Sequence, residues 1–149
     1  MALLFAADRL DHLAKEIEPS LKAGKVVLTD RYLLSSLAYQ SVHNNPEWVA
    51  EINNRARKPD LTILLDMGVR ECLARLESRK GYAEIYETAE LLGKVRLNYR
   101  DLAAQALEAG ETVVTIDAEP PAREVSREVV KAGREFAGSG SGSKAGPGS

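Results

Sequence analysis

Three aspartates in the sequence each follow a short run of apolar or β-branched residues. The three runs end at Asp30, Asp66 and Asp117. An acid at the end of a parallel strand lies where open α/β sheets bind their ligands, and phosphoryl-transfer enzymes hold Mg²⁺ with such a carboxylate. Acids also follow strands as helix caps or turn formers, so this pattern alone leaves both interpretations open.

Asp30 is followed directly by Arg31, which places a carboxylate beside a guanidinium. The carboxylate suits a hydrated metal ion, and the fork of the guanidinium matches the oxygens of a phosphate. The pair therefore indicates a phosphate site, with a surface salt bridge as the alternative. Arg79 lies in a charged stretch, residues 77–87, that has no apolar period. This stretch is either a basic lid over phosphates or a solvated loop.

Strands that alternate with helices are needed to position these groups. Residues 26–29, 61–65 and 112–116 have the composition of buried strands, and the periodic segments around them have the composition of helices. The alternation predicts an α/β fold, a parallel sheet with helices on both faces. Three strands are few for such a sheet, in which about five are usual, so part of the sheet is expected to be missing.

Length and charge limit the possible classes of protein. The chain has 149 residues, with 20 Lys and Arg against 22 Asp and Glu, for a formal net charge of −2. This balance argues against a nucleic-acid partner. No apolar run approaches the roughly 20 residues that span a bilayer, so no membrane association is expected. A single cysteine, Cys72, excludes an internal disulfide, and we expect a cytoplasmic protein.

The domain is predicted to occupy residues 1–136. Residues 137–149 consist mainly of glycine and serine and contain no large apolar side chain. Such a segment cannot bury enough surface to offset the entropy of ordering, so we interpret it as a flexible tail or linker.

Five blocks of sequence occur in an order and at spacings that resemble thymidylate kinase. The blocks are Leu3–Arg9, Asp30–Gln40, Lys58–Asp66, Glu84–Glu87 with Leu92–Arg96, and Val114–Ala118. The resemblance covers residues 2 to 130. It implies a P-loop kinase-like α/β fold and transfer of a phosphoryl group from ATP to dTMP, giving ADP and dTDP, with Mg²⁺ as the cofactor.

The resemblance also implies which residues bind the acceptor nucleotide. Phe5 would stack on the thymine ring, and Arg9 would hydrogen-bond a carbonyl of the base. Ser36 and Gln40 would line the base pocket. Tyr39 would pack against the deoxyribose and disfavour a 2′-hydroxyl.

The same resemblance implies the residues around the phosphates and the donor. Asp30 would lie by the Mg²⁺, and Arg31 would hold the dTMP phosphate. Arg75 would stack on adenine, and Asp117–Ala118 would border the adenine site. Arg79 would neutralise charge on the transferring phosphoryl group, so the expected catalytic set is Asp30, Arg31 and Arg79.

The sequence departs from this family at the N-terminal side. The family's first strand, P-loop and following helix have no counterpart in the sequence, and no G-x-x-x-x-G-K-[ST] motif is present. The family's strand order places the first strand between the strands that end at Asp30 and Asp66, which would otherwise have no shared neighbour. We therefore expect an N-terminally incomplete domain, from a truncation, a split or a circular permutation.

Several consequences for function follow from this interpretation. The chain alone is expected to be inactive and to need a complementary P-loop segment. The resemblance further implies a homodimer. Two alternatives stay open, a kinase for another nucleoside monophosphate and a non-catalytic nucleotide-binding or interaction module.

Overall fold

The computed structural model describes residues 1–77 and 85–140. In chain order the helices and strands are α1 (Ala2–His12), a π-helical turn (Leu13–Ile17), α2 (Glu18–Lys22), α3 (Leu33–Gln40), α4 (Pro46–Ile52), β1 (Thr62–Asp66), α5 (Val69–Glu77), α6 (Ile85–Glu108), β2 (Val113–Asp117) and α7 (Ala122–Gly140). The architecture is mixed α/β, with a small parallel sheet and helices, as a P-loop kinase-like fold requires.

The sheet is a parallel pair of strands in the part of the chain that the structure describes. β1 and β2 pair in register from Thr62 opposite Val113 to Asp66 opposite Asp117. Parallel strands require a crossover, which α5 and α6 belong to, and α6 packs on both strands. The strands predicted after residues 60 and 111 are thereby confirmed, and their two aspartates lie side by side at one edge of the sheet.

The strand predicted at residues 26–29 is wrong for this structure. These residues form no strand, and the Val26 and Leu28 side chains are 96% and 92% exposed. A strand needs a neighbour to satisfy its backbone N–H and C=O groups, and residues 26–29 have no neighbouring strand in the described part of the chain. Only Val27 packs inward, against the cluster formed by Leu13 and Ile17.

The first helical segment changes its hydrogen-bonding pattern before it ends. The Glu18 N–H donates to the Leu13 carbonyl, five residues earlier, which defines the π-helical turn. Pro19 explains the change, because it has no N–H to donate to the Lys15 carbonyl and its ring crowds that carbonyl. Gly24 then ends the helical segment at a φ of 74°, where a side chain would be strained.

Helices α3 and α4 carry the most completely buried side chains. Ala38 on α3 and Val49 on α4 are fully buried, and α3 packs along α6. Asn45 caps the N-terminus of α4, since its Oδ1 accepts the N–H groups of Glu47 at 2.8 Å and Trp48 at 3.2 Å. This packing fixes the side of α3 on which the predicted binding residues lie.

Two further features concern the ends and the surface of the molecule. Helix α7 continues to Gly140, past the predicted domain boundary at residue 136. Within the described residues, no helix combines the length and the apolar character needed to cross a membrane.

Candidate functional site

Arg31 has the one positive φ among the described residues other than glycine, at 60°. This conformation is costly for a residue with a side chain, and such outliers concentrate at functional sites. The guanidinium carbon lies 5.1 Å from the centre of the Tyr39 ring, a cation–π contact. The strained turn therefore aims the predicted phosphate-binding group over the residue predicted to contact the sugar.

Tyr39 is also held in place by a residue of α6. The rings of Tyr39 and Tyr99 meet edge to face, with centres 6.1 Å apart and planes 86° apart. Burial raises the pKa of the Tyr99 phenol above its ordinary value, and the nearby Ser35 hydroxyl opposes this effect. Tyr99 is thus a neutral hydroxyl at physiological pH, placed beside the predicted sugar-binding ring.

Arg9 is buried and bound to protein groups. Its guanidinium donates to Asn53 Oδ1 on one side and to Ser36 Oγ on the other. The guanidinium carbon lies 5.5 Å from the centre of the Tyr32 ring. Burial lowers the Arg9 pKa, against the opposing influence of Tyr32 and Asp8. The structure therefore joins two of the predicted base-pocket residues, Arg9 and Ser36, and ties them to α4.

Phe5 and Gln40 each have a group available to a ligand, an exposed aromatic ring in Phe5 and, in Gln40, a buried oxygen without a partner among the described residues. Phe5 lies one helical turn before Arg9 and is 52% exposed, so its ring has a face available for stacking. Gln40 Oε1 is buried without a hydrogen-bond partner within the described part of the chain. A buried acceptor of this kind is costly unless a ligand or a water satisfies it.

Asp30 supplies one carboxylate at the predicted metal position. Its side chain is exposed, and the described residues contain no group of three or more acids, histidines or cysteines that could hold a metal by themselves. Mg²⁺ in phosphoryl-transfer sites takes one or two carboxylates and completes its shell with waters and substrate phosphates. A single aspartate beside Arg31 is compatible with that mode.

The predicted adenine border forms a separate cluster after β2. Arg75 on α5 donates to the Glu119 carbonyl at 2.9 Å, and the Glu119 N–H donates to Asp117 Oδ1 at 2.9 Å. Glu119 Oε1 accepts the Gly68 N–H at 3.2 Å. A Cβ at Gly68 would come within 2.8 Å of that oxygen, so a larger residue there would push the Glu119 carboxylate away. The structure thus brings Arg75 to the loop that follows Asp117.

Asp66, the third strand-end acid, is engaged in a two-point ion pair. Arg96 Nε and an Arg96 terminal nitrogen donate to its two oxygens at 2.7 and 2.9 Å. This bond lowers the pKa of the Asp66 carboxyl, and Arg100 adds to the effect. The pair fastens α6 to the end of β1 and leaves Asp66 a structural group in this structure.

We call Phe5, Arg9, Arg31, Ser36, Tyr39 and Gln40, with the side chains that contact them, the acceptor cluster. Sequence reasoning missed two members of this cluster. Asn53 is 5% exposed and holds Arg9, and Tyr99 holds Tyr39. For Tyr99, the signal in the sequence was an aromatic residue on an otherwise aliphatic face of α6. For Asn53, it was a polar residue directly after an apolar helix. The prediction for Arg79 lies outside the described residues.

Comparison with known proteins shows the same family along most of the chain. The family model described as thymidylate kinase matches residues 1–129. A probable thymidylate kinase of Thermococcus kodakarensis is 52% identical over 103 residues, which cover 68% of this chain and 50% of that protein. A second, from Pyrobaculum aerophilum, is 44% identical over 131 residues, covering 87% of this chain and 65% of that protein. The aligned part of the chain therefore spans between half and two thirds of the length of these relatives.

Proposed function

The chain belongs to the thymidylate kinase family, and from this premise we propose that it forms the acceptor-binding and lid-bearing part of an enzyme that transfers a phosphoryl group from ATP to dTMP. The observation that supports this most strongly is the placement of Arg31. Its strained backbone and its cation–π contact hold the guanidinium over the Tyr39 ring. Strain of this kind persists only where the surroundings maintain it.

The acceptor would bind along α1 and α3. The exposed Phe5 ring offers a face for the thymine, and the unpartnered Gln40 Oε1 offers an acceptor to a donor on the base. Arg31 offers a charge-assisted pair of hydrogen bonds to the 5′-phosphate. Tyr39 would lie against the deoxyribose, where its ring leaves no room for a 2′-hydroxyl.

The donor would bind at the second cluster. Arg75 and the loop after Asp117 adjoin in the structure, and the family resemblance gives both to adenine. Asp30 would hold Mg²⁺ through its carboxylate. When bound, that ion supplies charge neutralisation across the phosphates. Phosphoryl transfer depends mainly on positioning and on such neutralisation, and the proposed roles of Arg31 and Arg79 are of this type.

The proposed role of Arg31 is tested by titrating dTMP into the wild-type chain and an Arg31→Ala variant in a calorimeter. Loss of a hydrogen bond to a charged group costs about 1.5–3 kcal/mol, so we expect about 10-fold weaker binding or more. The control is Arg55→Ala, an exposed arginine outside both clusters. Equal affinity of wild type and Arg31→Ala would refute the proposed role. Parallel titrations with dUMP, UMP and AMP separate dTMP kinase from a kinase for another nucleotide.

We also propose that the P-loop segment of the fold, whichever chain supplies it, inserts a strand between residues 26–29 and β1. The exposed Val26 and Leu28 offer unburied strand-type side chains on one side. On the other side, β1 pairs only with β2 among the described residues and has a second edge available. A parallel strand in this place would satisfy both backbones.

A homodimer is the assembly we propose. Helix α1 exposes Leu3 at 60% and Leu4 at 71%, and contiguous exposed apolar residues mark interaction surfaces. Sedimentation equilibrium of the wild type and a Leu4→Glu variant tests this. A monomeric wild type at the highest soluble concentration would refute the dimer.

A further inference from the structure

Helix α6 reaches the acceptor cluster through two consecutive residues. Asn98 Nδ2 donates to the Ala38 carbonyl at 2.8 Å, and Tyr99 meets the Tyr39 ring edge to face. Ala38 is fully buried, so the hydrogen bond from Asn98 is protected from water. The half of α3 that carries Tyr39 is therefore held in place by two side chains of α6.

The contacts form a short series that ends at Arg31. Tyr99 touches Tyr39 and has its hydroxyl near Ser35, which lies one helical turn before Tyr39 on α3. Tyr39 in turn lies under the Arg31 guanidinium. A rotation of the Tyr39 side chain would break both its aromatic contact and its cation contact. The orientation of this one ring thus depends on Tyr99 and affects Arg31.

We propose that Tyr99 is a positioning residue for the acceptor site, which fixes the Tyr39 ring and thereby sets both the discrimination against a 2′-hydroxyl and the support of Arg31. The inference rests on the proposed dTMP kinase function, because it assigns Tyr99 to the sugar side of that acceptor site. Tyr99 itself does not touch the nucleotide in this scheme.

Discrimination between sugars is the property that distinguishes positioning from simple packing. A packing defect lowers the stability of the fold and weakens all ligands alike. A tilted Tyr39 ring, in contrast, makes room for a 2′-hydroxyl and so changes the ratio of two affinities. That ratio compares dTMP with its ribose counterpart, 5-methyluridine 5′-monophosphate, which differs by one hydroxyl.

The experiment measures both dissociation constants by calorimetry for wild type, Tyr99→Met and Tyr99→Phe. Methionine keeps much of the volume but removes the ring, and an aromatic pair is worth a factor of about two to ten, so the affinity ratio should fall by about that factor in Tyr99→Met. Tyr99→Phe keeps the ring and removes only the hydroxyl, so it should retain most of the ratio. The matched control is Phe136→Met on α7, which packs against β2, and its ratio should equal that of wild type.

The outcomes separate this inference from the proposed function. Wild type that binds neither nucleotide would refute the proposed acceptor site and this inference with it. Wild type that prefers dTMP, with the same ratio in both Tyr99 variants, would overturn the inference and leave the function standing. Should Tyr99→Met fail to fold by circular dichroism, Tyr99→Leu, which also removes the ring, decides in its place. A ratio in that variant equal to the wild-type ratio overturns the proposal.

Discussion

The guanidinium of Arg9 is committed to protein partners before any nucleotide binds. It joins α1 to α3 through Ser36 and to α4 through Asn53, which also donates its own amide to the Val49 carbonyl at 2.8 Å. A buried charge is stable only when its donors are satisfied, and here two side chains satisfy them. A residue that the family resemblance gives to the base is therefore also a support of the helix bundle beneath the base pocket.

Arg9→Ala should lower the free energy of unfolding by about 1–3 kcal/mol, because Asn53 Oδ1 and Ser36 Oγ lose their shared donor. Arg9→Lys should recover little, since one ammonium cannot replace a fork that serves two acceptors. Urea unfolding followed by circular dichroism measures the change. Arg55→Ala, at an exposed position, serves as the control and should stay within about 0.5 kcal/mol of wild type. An Arg9→Ala chain as stable as this control would contradict the support role.

The Asp66–Arg96 pair makes stability depend on pH in the acid range. Arg96 holds the folded-state pKa of Asp66 below its ordinary value of 3.8. A lowered carboxyl pKa contributes stability that is complete above the unfolded-state pKa and is lost as the pH falls through the folded-state pKa. We therefore expect Asp66→Asn to destabilise the chain at pH 7 by about 1 kcal/mol and to lose this effect below the folded-state pKa. Thermal melts of wild type, Asp66→Asn and the exposed control Asp101→Asn, taken between pH 2 and 7 in steps of about one pH unit, measure this dependence.

A difference between wild type and Asp66→Asn that stays constant across that pH range would contradict the ion-pair origin. Asp101 lies on α6 and is exposed, so its substitution should leave the melts of the chain parallel to those of wild type.

The candidate site was predictable where its residues are neighbours in sequence and not where they meet by packing. Asp30, Arg31 and Tyr39 stand in one block, where the types of the first two suggest phosphate binding and the family resemblance gives Tyr39 to the sugar. The contacts of Tyr99 and Asn53 join helices far apart in the chain. The hydrogen bond from Asn98, next to Tyr99, spans 60 residues of sequence, and the bond from Arg9 to Asn53 spans 44. No local pattern records such pairings, because they depend on how whole helices pack.

Among the secondary-structure elements, residues 26–29 show how far a local pattern can be overruled. Their β-branched composition favours a strand, and β1 and β2, with similar composition, do form one. The difference is the neighbour, since the backbones of β1 and β2 pair in register, while residues 26–29 have no partner strand among the described residues and the Val26 and Leu28 side chains face solvent. The π-helical turn was missed for another reason, because a single proline changed a hydrogen-bonding pattern that the apolar period did not reveal.

Val26→Lys should be almost neutral for the chain alone, within about 0.5 kcal/mol, because its side chain has no packing to lose. The same change at Ile116, which is 7% exposed in β2, should prevent stable folding, because it buries an unpaired ammonium. Urea unfolding measures both variants. A large loss of stability in Val26→Lys would show that residues 26–29 are buried in solution.

For the molecule as a whole, the two clusters divide the chemistry of the proposed reaction. The acceptor cluster is built by α1, α3, α4 and α6, and the donor cluster by α5 and the loop after β2. The sequence supplies arginines and one candidate metal-associated acid to these clusters, but no glycine-rich loop with a following lysine. In P-loop enzymes the backbone N–H groups of that loop, its lysine and its hydroxyl stabilise the charge on the β- and γ-phosphates.

We therefore expect the 149-residue chain by itself to release no ADP in a coupled assay with ATP, Mg²⁺ and dTMP. Removing even one preorganised donor from a site of this kind costs about 10²–10³ in rate, so lack of the whole cradle should leave no measurable turnover. A P-loop segment, added in trans or fused through the Gly/Ser-rich C-terminal residues, should restore activity and give residues 26–29 a partner strand, visible as slowed amide exchange. Asp30→Ala in the restored enzyme is the control and should abolish the gain. Clear dTMP-dependent turnover by the chain alone, abolished by Asp30→Ala, would show that its own residues can perform what is here assigned to the P-loop.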